Sequence, residues 1–267
     1  MIQDIFPYQF NNRYKCQEPC EDDYVLCYHD REIYLKEDGS FITVKEAGDR
    51  DYYYGVSIDD KNFFLCSELE GFPRFPLFKL RHYEPRFLGF SGAVGAHIDS
   101  FVRRHQYCGK CGAKMVKSVR ERAMECPSCK QIYYPQISPA VIVAIIHEDK
   151  ILCTKYAAGH SGYARYALVA GYAEVGETIE ETVKREVKEE VGLEVKDITF
   201  YKSQPWPFSN SLLFGFSCHV DGSNEIILDE EELSEAVWIK REDLGDDWSD
   251  ASLTHEMILK FKEGIIR

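Results

Sequence analysis

The sequence predicts an α+β chain in three segments. Residues 1–103 form a mainly antiparallel β domain, 104–136 a small metal-stapled module, and 137–267 an α/β/α sandwich with a mixed sheet. Three observations carry this reading. Short apolar and aromatic runs broken by turn residues fill the first segment. Two C-x2-C pairs mark the second, and one amphipathic helical pattern set between strand-like runs organises the third. At 267 residues the chain is long enough to give such segments a sizeable core.

In the first segment Tyr24 to Tyr28, Glu32 to Leu35, Ser40 to Val44, Tyr52 to Ile58 and Asn62 to Cys66 read as strands, with Asp38-Gly39 as a hairpin signal. Pro73 and Pro76 interrupt the pattern, and Ala93 to Arg104 reads as a helix. No chemical motif occurs here, so a structural or dimerising role is expected.

Cys108, Cys111, Cys126 and Cys129 follow as two knuckles, with Gly109 and Gly112 supplying the tight backbone of the first. This spacing predicts a zinc ribbon. Four thiolates close a tetrahedral site, which predicts a structural zinc rather than a catalytic one. The ribbon's surplus of Lys and Arg could still touch phosphate. Cys16, Cys20, Cys27, Cys66, Cys153 and Cys218 remain and read as ordinary thiols.

In the third segment Pro139 to His147, Ile151 to Tyr156, Ala167 to Gly171, Val195 to Tyr201, Leu212 to Val220 and Glu235 to Ile239 read as strands. Thr254 to Phe261 reads as a closing helix. Between them lies GYAEVGETIEETVKREVKEEVGL, from Gly171 to Leu193. Thr178 with Glu181 forms a capping box and Gly192 a left-handed stop, so a helix of about 13 residues is expected. Ile179, Val183, Val187 and Val191 give it an apolar stripe, while Glu186, Glu189 and Glu190 share one face. Like charges at that spacing destabilise a helix. Arg185 beside them and the loop framed by Gly171 and Gly176 mark the cluster as a site, and hard oxygen ligands suit Mg²⁺ or Mn²⁺. Divalent ions neutralise a diphosphate, polarise phosphorus and lower the pKa of a bound water. Either Glu189 or Glu190 could take the proton of that water, or act only through the metal.

The stretch resembles the Nudix box, G-x5-E-x7-R-E-U-x-E-E-x-G-U with U aliphatic, and the resemblance implies hydrolysis of a nucleoside diphosphate linked to another moiety. Beyond it, Ser203 to Ser211 reads SQPWPFSNS. Prolines around Trp206, followed by Phe208, either present rings for base stacking or start a strand with Trp206 in the core. With the ribbon, this stretch is similar to the SQPWPF-P-x-S array of the NADH pyrophosphatase subfamily, also described as NAD-capped RNA hydrolases. That resemblance covers residues of about 104 to 240.

It implies cleavage of NAD(H) to nicotinamide mononucleotide and AMP, and removal of NAD caps from RNA 5′ ends. By position, Glu186, Glu189, Glu190 and Glu232 match metal ligands, with Arg185 beside them. Glu121, Tyr134, Tyr172, Gln204, Pro205, Trp206, Pro207, Phe208, Ser209, Asn210 and Ser211 match dinucleotide contacts. Two positions depart from the pattern: Ser209 replaces the third proline, and Thr254, a further substrate-side position, replaces a small alanine. The family also suggests a homodimer.

The net charge of −13 argues against broad binding of long nucleic acid, although residues 104–136 are basic between two acidic segments. No apolar run of 18 residues and no secretion-type N-terminus is evident, so no membrane span and a cytoplasmic location are expected. Two other readings are a Nudix hydrolase acting mainly on ADP-ribose or diadenosine polyphosphates, and a zinc-ribbon sensor or scaffold with an idle Nudix domain. The intact Arg185, Glu186, Glu189 and Glu190 speak against the second.

Overall fold

A computed structural model describes residues 1–157, 166–245 and 251–267. They form two compact units, one of Met1, Ser138–Trp206 and Ser211–Arg267, the other of Ile2–Ile137 and Pro207–Asn210.

The first unit is built on a six-stranded mixed sheet. Ser138–His147 lies at its centre, parallel to Ser211–Val220 and antiparallel to Lys150–Tyr156 and Val169–Tyr172. Val195–Trp206 and Leu233–Lys240 form the edges. Alternation along the central strand decides which face each side chain enters. Val141, Val143 and Ile145 pack with Val183, Val187 and Val191 of the helix Ile179–Val191. Ile142, Ala144 and Ile146 pack with Leu253, Met257, Ile258 and Phe261 of the helix Leu253–Lys262. The sheet is thus covered by one helix on each face, as expected.

The helix Ile179–Val191 has 13 residues. Thr178 and Glu181 form the reciprocal capping box, and Gly192 ends the helix at φ 72° with its N–H on the Lys188 carbonyl. Val183, Val187 and Val191 are fully buried. Burying each is worth roughly 1.5 to 3 kcal/mol, whereas each like-charge pair on the acidic face costs about 0.2 to 0.5 kcal/mol. Core burial therefore holds three glutamates together that propensity alone would separate.

The edge strand expected over Val195 to Tyr201 runs on to Trp206 and includes Pro205. An edge position tolerates a missing N–H, and register shifts after Lys196 and Phe200 bend the strand.

In the second unit a five-stranded sheet is ordered Phe10–Asn11, Tyr53–Ile58, Lys61–Leu65, Tyr24–Leu26, Ile42–Thr43. Its pairs are antiparallel except that of Tyr24–Leu26 with Lys61–Leu65, which is parallel. The strand expected over Ser40 to Val44 is cut to Ile42–Thr43, because Thr43 and Glu46 form a capping box that starts the short helix Val44–Ala47. The helix expected from Ala93 begins at Arg86 and runs to Arg104, with Pro85 at its N-cap. Gly95 within it lies against the sheet: a Cβ there would fall 2.4 Å from Leu26 Cδ1 and 2.5 Å from the Tyr28 hydroxyl. The ribbon contributes three two-residue strands, Val116–Lys117, Met124–Glu125 and Ile132–Tyr133. Among the described residues no helix is long and apolar enough to cross a membrane.

Candidate active site

The acidic face of the helix Ile179–Val191 is organised by one arginine. Arg185 donates Nε and Nη2 to the two carboxylate oxygens of Glu177, at 2.6 and 3.0 Å. Its Nη1 reaches Glu186 Oε1 at 2.8 Å and Glu189 Oε2 at 2.9 Å, and Nη2 also meets the Tyr172 carbonyl at 2.8 Å. These five contacts match the five N–H groups of a guanidinium. Glu177 accepts two further bonds, from the Glu174 N–H and the Thr182 hydroxyl. The Arg185 guanidinium, foremost, and these donors hold its carboxyl down at about 2. Glu177 belongs to the box pattern but carried no role in the sequence reading; here it anchors the arginine.

Glu186 and Glu190 point inward and are 8% and 3% exposed, while Glu189 stands at the surface. The strand Val169–Tyr172 passes over Glu186 at Gly171, where a Cβ would fall 1.9 Å from the carboxylate carbon. Only glycine admits that approach. Burial raises the Glu186 carboxyl, and Arg185 opposes the rise. Burial pushes Glu190 up to about 8, against the pull of the Ala170 N–H, which lies 3.4 Å from Oε1. The negative charges of Glu186, Glu232 and Asp229 push the same way as burial.

Glu232 reaches this neighbourhood through its backbone, since its carbonyl accepts the Ala157 N–H at 2.8 Å. Tyr156, the preceding residue, is itself pushed up to about 12 by burial and then by Glu190, Glu232 and Glu186. No signal in the sequence marks Tyr156 as a neighbour of the cluster.

Glu190 Oε2 is buried and has no hydrogen-bond partner among the described residues. A buried carboxylate oxygen without a donor, beside further carboxylates, is costly unless protonated or met by a cation. The donor set is all hard oxygen, so these residues fit a divalent ion such as magnesium or manganese. Their oxygens are not drawn as close as the cysteine sulfurs: among the described residues only Cys108, Cys111, Cys126 and Cys129 bring three or more ligand atoms within 4.8 Å of one another.

Comparison with known proteins bears on this geometry. The model of the NUDIX domain matches residues 137–259, which include the helix, its glycine-framed loop and Glu232. This chain carries a Nudix domain. Ahead of it, residues 103–134 match the NADH pyrophosphatase zinc ribbon domain. The NAD-capped RNA hydrolase NudC of Escherichia coli O1:K1, and that of Escherichia coli strain SMS-3-5, are each 45% identical over 150 residues, 56% of this chain and 57% of theirs. The match thus spans little more than half the length of these curated relatives. A solved Nudix hydrolase from Nitrosomonas europaea is 23% identical, with a TM-score of 0.49, over 59% of this chain and 91% of that one.

In the ribbon, the sulfurs of Cys108 and Cys129 lie 3.6 Å apart and those of Cys111 and Cys126 3.5 Å apart. Tetrahedral ligation with zinc–sulfur bonds of about 2.3 Å puts sulfurs about 3.8 Å apart, so the four thiols fit zinc. The Cys129 N–H points at Cys126 Sγ, 3.4 Å away, as a knuckle requires. Nearby, the Tyr134 hydroxyl donates to Glu121 Oε1 at 3.1 Å, which brings those two expected contact residues together.

The stretch following the Nudix helix is divided. Gln204, Pro205, Trp206 and Ser211 belong to the Nudix unit, and Pro207, Phe208, Ser209 and Asn210 to the other. Gln204 is fully buried: its amide oxygen accepts the Leu253 N–H at 2.7 Å and its nitrogen donates to the Ala251 carbonyl at 3.2 Å, so it caps the last helix. Pro205 and Trp206 are half-buried and Pro207 is buried. Phe208, 9% exposed, packs edge-on against Phe78 at 5.4 Å between ring centroids. Ser209 is exposed, and Asn210 turns at φ 58°. Ser211 is buried with its hydroxyl 3.2 Å from that of Tyr172, a residue that is 51% exposed. Thr254 sits half-buried in the first turn of the closing helix.

Proposed function

We propose that this chain hydrolyses the diphosphate of NAD(H) to nicotinamide mononucleotide and AMP, and removes NAD from the 5′ ends of RNA. The reading is supported by the NADH pyrophosphatase ribbon and by the similarity to NAD-capped RNA hydrolases. The observation that carries the hydrolytic part is Glu190 Oε2, buried beside Glu186 without a donor among the described residues. Glu186, Glu189, Glu190 and Glu232 would hold a divalent cation, magnesium or manganese. When bound, the cation neutralises the diphosphate and acidifies a water for attack on phosphorus.

The rest is done by this chain's own groups. Arg185 fixes Glu186 and Glu189 through hydrogen bonds that also tie it to Glu177 and to the Tyr172 carbonyl. Burial of Glu186 and Glu190 keeps bulk water from competing for their oxygens. Tyr172, half exposed at the end of the strand Val169–Tyr172, offers a ring for stacking on one base of the dinucleotide. Glu121, Tyr134, Ser209, Asn210 and Thr254 are further contacts in this proposal. The zinc bound by the four cysteines is structural, one per chain, and the protein works in the cytoplasm as a homodimer.

The test is turnover of NADH, NAD⁺, ADP-ribose and NAD-capped RNA with Mg²⁺ or Mn²⁺, with Glu190→Gln alongside. The expected result is preference for NADH or capped RNA, and a loss of at least roughly 10²-fold in the variant. Parent-like turnover by folded Glu190→Gln, or no turnover of any NAD substrate by the parent, overturns the proposal.

A further inference from the structure

The parallel pairing of Tyr24–Leu26 with Lys61–Leu65 places two cysteines side by side. The register sets Tyr24 opposite Phe63, Val25 opposite Phe64 and Leu26 opposite Leu65. One step further, Cys27 stands opposite Cys66, with the Cys66 N–H on the Leu26 carbonyl at 3.2 Å. Both side chains enter the same apolar cluster with Val25, Ile42, Ala47 and Leu69. Neighbouring strands run about 4.8 Å apart, within the Cα separation of roughly 4.4 to 6.8 Å that a disulfide spans.

Arg103 ties this junction together. Its Nη2 donates to the Tyr28 carbonyl at 2.8 Å and to the Ser67 carbonyl at 3.1 Å, the residues that follow the two cysteines. Asp99, 5% exposed, in turn holds Arg103 Nε at 2.6 Å. The two strand ends are therefore clamped together whatever the thiols do. A cavity of about 820 Å³, lined by Tyr28, Ser67, Glu68, Asp99 and Arg103 among others, lies next to the residues that follow the two cysteines; Cys27 and Cys66 are themselves buried, at 0% and 1% exposure.

We infer that Cys27 and Cys66 form a redox-modification site, a thiol pair that closes to an intramolecular disulfide when oxidised by hydrogen peroxide. One thiol loses its proton, and its sulfur electron pair forms a bond to one oxygen of hydrogen peroxide; the O–O bond breaks, and the departing hydroxide leaves as water with that proton. The second thiol then loses its proton and attacks the sulfenic sulfur of the first; the S–O bond breaks, and the second hydroxide leaves with that proton as water. Two thiols are oxidised to one disulfide while the peroxide is reduced to two waters.

The experiment uses the full-length protein loaded with zinc, so that the ribbon cysteines are held by metal. After hydrogen peroxide, remaining thiols are alkylated in denaturant and the digest is mapped without reduction. The expected product is a single cross-link between the peptides holding Cys27 and Cys66, lost on reduction. In Cys27→Ser or Cys66→Ser no partner thiol remains to close the bridge, so the cross-link should be absent and the sulfenic-acid reagent dimedone should label the remaining cysteine. Recovery of both cysteines alkylated, after peroxide has oxidised the exposed Cys16 or Cys20, overturns the inference. So does a disulfide joining either cysteine to another partner. If the serine variants fail to fold, the map of the parent protein decides alone.

Discussion

The Cβ that Gly171 lacks would lie 1.9 Å from the carboxylate carbon of Glu186 and 2.1 Å from both of its oxygens. A backbone strand thus roofs a buried carboxylate with no room for a methyl group. Gly171→Ala should push Glu186 off Arg185 and lower kcat at least tenfold while leaving the sheet paired, since Gly171 pairs with Val141 through its backbone. Steady-state kinetics with circular dichroism check this. An alanine variant with parent kcat would show that the position of Glu186 does not matter.

Stability should depend on pH through Glu190. Its carboxyl, pushed up to about 8 in the folded chain from an ordinary 4.5, keeps its proton over a range where the unfolded chain has lost it. The folded state therefore binds more protons, and stability falls as pH rises from about 4.5 through 8. Glu186, also raised, adds to this slope, whereas Glu177, held at about 2, acts only below 4.5. His97, lowered by burial, contributes the opposite sign near neutrality, so comparison with a variant isolates the effect. The Tm of zinc-loaded protein in Mg²⁺-free buffer should fall across pH 5 to 8, less so in Glu190→Gln, and Mg²⁺ should restore it most at the high end. Identical Tm profiles for parent and variant would contradict this.

Zinc removal should act through folding. Cys126→Ser leaves three ligands, and metal binding in such modules is worth roughly 10 to 16 kcal/mol of folding free energy. The variant should lose its zinc by elemental analysis and melt at a lower temperature. A zinc-free variant of unchanged Tm would refute a stapling role.

Phe208 and Tyr172 should separate cleanly. Phe208 is buried against Phe78, so Phe208→Ala should cost roughly 3 kcal/mol of stability. Tyr172 is half exposed and gives up only its hydroxyl contact with Ser211, so Tyr172→Ala should leave Tm nearly unchanged. Loss of its stacking should raise KM for NADH about tenfold. Denaturation curves and kinetics on both variants test the pair; a destabilised Tyr172→Ala with normal KM would reverse the assignment.

The sequence by itself determined the features whose causes are local. Thr178, Glu181 and Gly192 fix the ends of the 13-residue helix, and the valine spacing fixes its buried face, because caps and periodicity act within a few residues. The cysteine spacing likewise fixed the ribbon, since a knuckle is a tight local turn. Tertiary structure decided everything that depends on what lies opposite. Gln204 and Phe208 sit in one stretch whose sequence suits either a ligand loop or a strand start. In the fold Gln204 caps a helix 49 residues away at Leu253, and Phe208 packs against Phe78. Glu186, Glu189 and Glu190 look alike in sequence, but the fold, with the strand Val169–Tyr172 passing over Glu186, buries two and leaves the third at the surface. Cys27 and Cys66 meet because two distant strands pair in parallel. Burial and pairing across the chain set the free energies of these groups, and no local pattern encodes them.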